Sequence, residues 1–303
     1  MSVDALLSPP PAATEAWQGT LDGLAVGPGT PYGWRLRNGF KSLPPVRVQD
    51  EARPWAHGTW DAPDWADGRT FTLSWKVRAT DSMSYGAALD ALERVMVPGR
   101  VVTLWVRLPR QGLLRWHVKV RRFEIPVDAV FDVDLVTDAA CQLYAADPVG
   151  YGPGQSASTG FGDSSGSGLQ FDLFTDGEDM VTGFLEFGQP ASSGRLSLSN
   201  PGTAETWPVY EVSGPTANEG FEIVDVPTGR RIRFEGYVPF GSTLTIDTGD
   251  GSVLLDDVAD RSGLLTLREW SPIPAGGSTE VQFLTLGSPT PATLRAVYAP
   301  GWW

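Results

Sequence analysis

The chain has 303 residues, 41% hydrophobic and 19% charged, which excludes a disordered chain and gives enough length for two globular domains. Its formal net charge of −13 argues against sequence-independent nucleic-acid binding, because that binding needs a basic surface to release counterions. The 35 glycines, 25 prolines and 12 tryptophans indicate short strands joined by many turns, and therefore an all-β bias.

The first residues, MSVDALLSPPPAATEAW, do not have the pattern of a signal peptide. An acidic residue stands where a signal peptide has basic ones, and the apolar run is short and broken by prolines. No stretch of the chain approaches the roughly 18 apolar residues of a membrane span. A single cysteine, Cys141, cannot form an internal disulfide. We therefore expect a soluble protein made in a reducing cytoplasm.

Strand and turn patterns dominate the first half of the chain. Asp22-Gly23 between two apolar runs predicts a tight hairpin. Residues 44–65 are rich in Trp, Pro and Asp without clean periodicity, which predicts a strand followed by a long surface loop. Residues 68–79 alternate apolar and polar side chains and predict a half-buried strand.

One amphipathic helix follows that strand. Asp81 is a suitable N-cap, and Pro98-Gly99 ends the helical pattern. The apolar stripe should pack on a sheet. It consists of Tyr85, Leu89, Leu92 and Met96.

The chain divides into two parts at a change of composition. Two strands around Gly112 and a closing strand that reaches Asp147-Pro148 complete a domain over residues 1–150, predicted to be a β-sandwich with a single helix. Residues 151–170 are rich in Gly and Ser and predict a linker. Residues 171–303 contain about eight short strands, among them a hairpin at Asp250-Gly251, and predict a jelly-roll-like β-sandwich.

Catalytic and metal chemistry have little support in the sequence. His57 and His117 are the only histidines, and neither stands in a recognisable nucleophile context. Cys141 is typical of a small apolar core residue. The carboxylates near residues 247–257 do not have the spacing of a calcium loop. We expect no enzyme activity, no bound metal and no cofactor.

Exposed tryptophans are the candidates for a binding site. Aromatic side chains on a jelly roll can stack on sugar rings, although tryptophans in β-sandwiches more often serve as core or interface anchors. We expect the two C-terminal tryptophans to pack against the protein. The carbohydrate-contact candidates are Trp207, Trp270, Trp302 and Trp303.

The order of these turns and strands resembles the distal tail proteins, or minor tail proteins, of long-tailed siphovirus-type bacteriophages. In the first half the resemblance lies in the opening hairpin, the Asp67-Gly68-Arg69 stretch before a strand, the single helix and the sequence AADPVGYG. In the second half it lies in four short features. These are Asn200-Pro201-Gly202, Pro208 ahead of a strand, Asp247 closing LTID, and Trp270 followed by Pro274 and Gly276-Gly277. The N-terminal extension to about Ala16 and the loop at residues 54–65 depart from the family pattern.

The resemblance implies an N-terminal ring-forming belt domain and a C-terminal galectin-like jelly roll. It also implies a structural, non-enzymatic role in the virion, without a cofactor, as a hexameric ring at the tail tip with a channel for DNA. The implied partners are copies of the same chain, the tail tube protein, the tape measure protein, the tail hub or tip protein, and adhesins or host glycans. Stable nucleic-acid binding and membrane insertion are not expected.

Two other functions stay open from the sequence. A carbohydrate-binding module, with the jelly roll acting as a lectin in host attachment, is the main alternative. A hydrolase is the third, and it lacks an identifiable acid, base or nucleophile. Fold alone does not choose among them, because β-sandwiches serve many functions.

Overall fold

A computed structural model describes residues 3–126, 135–162 and 193–303 of the chain. Its helices are α1 (Val3–Leu7) and α2 (Ser82–Val95), and Ser262–Leu264 form a 3₁₀ turn. The strands of the first half are β1 (Gly19–Leu21), β2 (Leu24–Val26), β3 (Tyr32–Asn38), β4 (Val46–Arg47), β5 (Glu51–Ala52), β6 (Thr59–Trp60), β7 (Trp65–Ala66), β8 (Arg69–Arg78), β9 (Val101–Leu108), β10 (Gly112–Glu124), β11 (Val136–Ala145) and β12 (Gly150–Tyr151). The strands of the second half are β13 (Gln155–Gly160), β14 (Arg195–Asn200), β15 (Val209–Ser213), β16 (Phe221–Asp225), β17 (Arg231–Phe234), β18 (Thr243–Asp247), β19 (Val253–Leu255), β20 (Ala259–Asp260), β21 (Leu265–Arg268), β22 (Gly277–Thr285), β23 (Thr293–Tyr298) and β24 (Gly301–Trp302).

The chain forms two compact units. The N-terminal unit consists of residues 9–153 together with 301–303, and the C-terminal unit consists of residues 1–8 together with 154–300. The first residues of the chain are thus part of the C-terminal unit, and the last three are part of the N-terminal unit. The β-rich fold class with one long helix, predicted from the sequence, is confirmed.

The N-terminal unit contains one continuous antiparallel sheet in the order β2-β1-β9-β10-β11-β8-β3, with β12 paired to β10 and β24 paired to β12. The predicted opening hairpin is present, because Asp22 and Gly23 take the positive φ angles of 49° and 86° that such a turn requires. The two ends of the sheet also meet, since the Gly27 N–H donates to the Tyr32 carbonyl. The strands expected to form a sandwich therefore belong to a single sheet that closes on itself at this point.

Aromatic side chains fill the core of the N-terminal unit. Phe71 lies between Phe40 and Trp116, with ring centroids 4.9 Å and 5.3 Å away. Helix α2 packs Tyr85 and Leu92 into this core, and its other buried residues are Ala88 and Val95. The helix begins at the predicted cap, where the Ser84 N–H donates to Asp81 Oδ1 at 2.9 Å.

The C-terminal unit is a sandwich of two antiparallel sheets. One sheet has the order β13-β23-β15-β18-β19-β20 and the other has the order β14-β22-β16-β17-β21. Phe161, just after β13 of the first sheet, stacks on Phe283 of the second sheet at 4.0 Å. Within the second sheet, Phe221 contacts Phe283 edge to face at 5.5 Å. This is the jelly-roll-like sandwich that the turn spacing predicts, with more strands in the described part than the eight expected.

The limits of the domains predicted from the sequence stay a prediction; the two compact units differ from them at β13, at α1 and at residues 301–303. Strand β13 lies inside the segment predicted as a linker, because its small residues pair along β23 and form the edge of that sheet. Helix α1 belongs to the C-terminal unit, where Leu6 is buried and its carbonyl approaches Gly154. Residues 163–170 of the predicted linker, and the predicted start of the second domain at 171, lie outside the described residues.

Candidate assembly surfaces

Residues 43–67, between β3 and β8, form a ribbon that we call the arm. Two short antiparallel ladders, β4 with β7 and β5 with β6, hold its two sides together. Every residue from 45 to 61 is exposed. The segment that the sequence predicts as a strand and a surface loop is therefore a two-stranded extension without a core of its own.

Large apolar side chains on the arm are exposed to solvent. Trp55 at its tip is 97% exposed, and Trp60 and Trp65 are more than half exposed. Val46 and Val48 lie on the same ribbon and are also exposed. An isolated two-stranded ribbon is marginally stable in water, and exposed apolar groups at this density indicate an interaction surface.

The base of the arm is fixed firmly to the sheet. Buried Arg69, just after the arm, donates from Nη1 to the carbonyl of Gly39, just before it, at 3.2 Å. Desolvation by burial lowers the pKa of the Arg69 guanidinium. The Asp67 N–H donates to the Pro45 carbonyl at 2.7 Å, which joins the two sides of the ribbon at its start. The direction of the arm is therefore set by groups within the folded unit.

The outer face of the sheet is basic, although the whole chain is acidic. Alternate residues of β8 and β10 point away from the core and include Lys76, Lys119 and Arg121. Arg35 on β3 pairs with Asp138 on β11 through Nε and Oδ1 at 3.0 Å. We define the basic face as the outward positions of β3, β8, β10 and β11. Its charged residues are Arg35, Lys76, Arg78, Lys119, Arg121, Arg122, Glu124 and Asp138.

Two sugar-contact candidates, Trp207 and Trp270, lie near each other in the C-terminal unit. A Cβ atom on Gly249 would lie 3.4 Å from Cβ of Trp207, and one on Gly251 would lie 3.7 Å from Cζ2 of Trp270. Both tryptophans therefore flank the turn between β18 and β19. Trp207 is 38% exposed, whereas Trp270 is partly buried and packs against the core. Carbohydrate contact by this pair stays a prediction.

The other two candidates, Trp302 and Trp303, lie in the N-terminal unit. Trp302 on β24 is partly buried against the aromatic core, which agrees with the expectation that the end of the chain packs on the protein. Trp303 is 41% exposed. The four candidate residues therefore belong to two separate units, and a role in sugar binding stays a prediction for these two as well.

The histidines and the cysteine that could take part in catalysis lie on separate elements. His57 lies on the exposed arm and His117 on β10. Desolvation, followed by the charge of Arg115, lowers the pKa of His117. Cys141 is buried in the core, as the sequence predicts, and burial raises the pKa of its thiol.

The four carboxylates between residues 247 and 257 do not form one group. Asp247 and Asp250 lie at the turn between β18 and β19, whereas Asp256 and Asp257 follow β19 at its other end, where Asp256 Oδ1 accepts from the Thr243 N–H. Among the described residues no group of three or more His, Cys, Asp or Glu side chains is placed to hold a metal ion. In the same part of the chain, no helix is long and apolar enough to cross a membrane.

Comparison with known proteins gives matches at two levels. Residues 201–301 match the family model described as siphovirus-type tail component, C-terminal domain. The solved structure of the Dit protein of phage SPP1, described as a paradigm of the hub adsorption apparatus in phages that infect Gram-positive bacteria, matches with a TM-score of 0.63 and 11% identity. That match covers 95% of this chain and 100% of the SPP1 protein.

Weaker matches involve other tail assemblies. The activated baseplate of phage P2 matches with a TM-score of 0.46 and 8% identity, over 89% of this chain and 91% of the matched chain. The tail of an empty GTA particle matches with a TM-score of 0.28 and 14% identity, over 43% of this chain and 90% of the matched chain. No curated protein sequence matches the chain.

The family match of residues 201–301 defines a structural component of a siphovirus-type phage tail, and the two-unit β fold is that of the SPP1 Dit structure. More particularly, the chain resembles the distal tail proteins of siphovirus-type phages in both units, so the resemblance stated from the sequence is confirmed.

Proposed function

We propose that this distal tail protein forms a hexameric ring at the tip of the tail and leaves a central channel through which DNA passes. The ring joins the tail tube and tape measure proteins on one side to the hub and adhesion proteins on the other. The protein is synthesised in the host cytoplasm, incorporated into the virion and has no catalytic role. The family match and the Dit fold support the tail-tip assignment.

The exposed arm is the observation that carries the proposal of self-association. The N-terminal unit has a complete aromatic core without the arm, whereas the arm exposes tryptophan and valine side chains along its whole length. Burying such side chains contributes a stabilising free energy of about 25 cal/mol per Å² of apolar area. Because the ribbon has no core of its own, it gains this free energy only by contact with another surface.

Native mass spectrometry and negative-stain imaging of the same sample, at micromolar protein concentration, test the proposal. We expect six-fold rings with an open centre. A variant in which Asn-Gly replaces residues 46–66 is expected to keep its melting temperature and to lose the rings, because Pro45 and Asp67 already meet at the base of the arm.

The matched control is Phe240→Ser, which removes an exposed aromatic side chain from the C-terminal unit and should still form rings. A wild-type protein that stays monomeric would contradict self-association. Rings that persist without the arm would contradict its role in assembly.

A further inference from the structure

The arm and the basic face carry opposite charge. The arm contains five carboxylates and two arginines, and its acidic residues are Asp50, Glu51, Asp61, Asp64 and Asp67. The basic face contains six cations and two carboxylates, Glu124 and Asp138, which Arg122 and Arg35 already pair. In a chain with a net charge of −13, a positive sheet face of this size has a natural partner in an acidic surface.

The apolar and aromatic groups of the two surfaces are complementary as well. The basic face and its border expose Leu36 on β3 and Val101 on β9. The guanidinium of Arg121 lies over the ring of Tyr144 at 5.0 Å, so this cation is held at the surface by an aromatic neighbour. Exposed Trp55 of an arm would meet cations and aliphatic groups there, and both interact favourably with an indole ring.

The two surfaces are also similar in length. Strand β8 has ten residues, which at about 3.3 Å per residue extend over about 33 Å. The arm runs over eleven residues from Pro45 to Trp55 and therefore has a similar maximum reach. An arm laid along the face would thus extend past both Lys76 on β8 and Lys119 on β10.

The arm does not cover the basic face of its own chain, because residues 45–61 are exposed throughout. Each copy therefore offers one free arm and one free basic face. A contact between different surfaces of two copies is heterologous, and it generates a closed ring when the rotation between copies closes.

We propose that the acidic arm of one copy lies on the basic face of the next copy and that this charge-complementary contact joins neighbouring protomers of the ring. The inference rests on the proposed function and identifies the two surfaces that meet in it. Asp50 and Glu51, at the start of β5, face Lys119 and Arg121 of the neighbour, and Trp55 supplies the apolar anchor.

A charge-swap experiment tests this contact. Lys119→Glu with Arg121→Glu, and separately Asp50→Lys with Glu51→Lys, are each expected to raise the protein concentration needed for half-maximal assembly about tenfold or more. The variant that carries all four changes should assemble nearly as well as the wild type, because the attraction is restored with its signs exchanged. Assembly of the wild type should also weaken between 0.05 and 0.5 M salt.

Arg110→Glu with Arg261→Glu is the matched control. It makes the same change in net charge at two exposed positions outside the basic face and should assemble normally. If the wild type forms rings and neither charge-reversed pair weakens assembly, the proposed contact is wrong. The same holds if the fourfold variant does not recover assembly, and in both cases the proposal of a ring is unaffected. A wild type that is monomeric at every salt concentration would overturn the ring together with the contact.

Discussion

A single carboxylate, Asp81, fixes the start of the only long helix of the described chain. It accepts hydrogen bonds from the Ser84 N–H and from Ser84 Oγ. The backbone bond from Ser84 is the main cause that lowers the pKa of Asp81 below its usual value of 3.8. A carboxyl group with a lowered pKa in the folded state stabilises the fold above its unfolded pKa, and this contribution is lost as the pH falls through the folded pKa.

Replacing Asp81 with Ala should therefore lower the melting temperature at pH 7, and the difference from the wild type should shrink as the pH falls below about 4. Asp81→Asn is the control, because an amide oxygen still caps the helix but does not titrate. Thermal melts followed by circular dichroism between pH 2.5 and 7 measure both. If the difference in melting temperature between Asp81→Ala and the wild type stays constant over this pH range, the charge of the cap does not contribute to stability.

At the scale of elements, the pairing of β12 with β24 depends on a close approach to the core. A Cβ atom on Gly150 would lie 2.4 Å from Cζ2 of Trp116, whose ring is buried against Phe40 and Phe71. The indole ring cannot move aside without displacing these neighbours, because cores are closely packed. A side chain at position 150 therefore has no room.

Gly150→Ala should lower the free energy of unfolding by about 1 to 3 kcal/mol, the usual cost of overpacking a core. Gly33→Ala is the matched control on β3, because its Cβ would lie 3.8 Å from the Lys76 carbonyl oxygen, an ordinary contact. Urea unfolding monitored by tryptophan fluorescence measures both changes. Equal effects of the two substitutions would contradict the steric explanation.

The sequence predicts elements that have a local cause. The hairpin at Asp22-Gly23, strand β8 and helix α2 follow from turn chemistry, alternation and capping. It does not predict β24, which has only two residues and exists because β12 supplies its partner. The same holds for the basic face: alternation along β8 and β10 shows which side chains point outward, but only the strand order brings these cations together.

The path of the chain between the two units is a property of the whole molecule. Gly150 pairs with Trp302 and Tyr151 pairs with Gly301, so the last residues complete the N-terminal unit. A fragment that ends at Pro153 lacks this strand and the Trp302 ring that packs on the core. No single cut between the units leaves both of them whole.

A graft tests this topology. Because Tyr151 and Gly301 are directly paired antiparallel partners, a two-residue Asn-Gly turn can join them in a fragment made of residues 9–151, Asn-Gly and 301–303. We expect this fragment to be more stable to urea than residues 9–153 by about 2 kcal/mol, since it regains the two residue pairs between β12 and β24 and part of a tryptophan's burial. The same graft with Trp302→Ala should lose most of this gain in stability, because burial of the indole ring contributes more to it than the added backbone hydrogen bonds. If the grafted and ungrafted fragments unfold at the same urea concentration, the terminal strand is dispensable, and the two units are separable after Pro153.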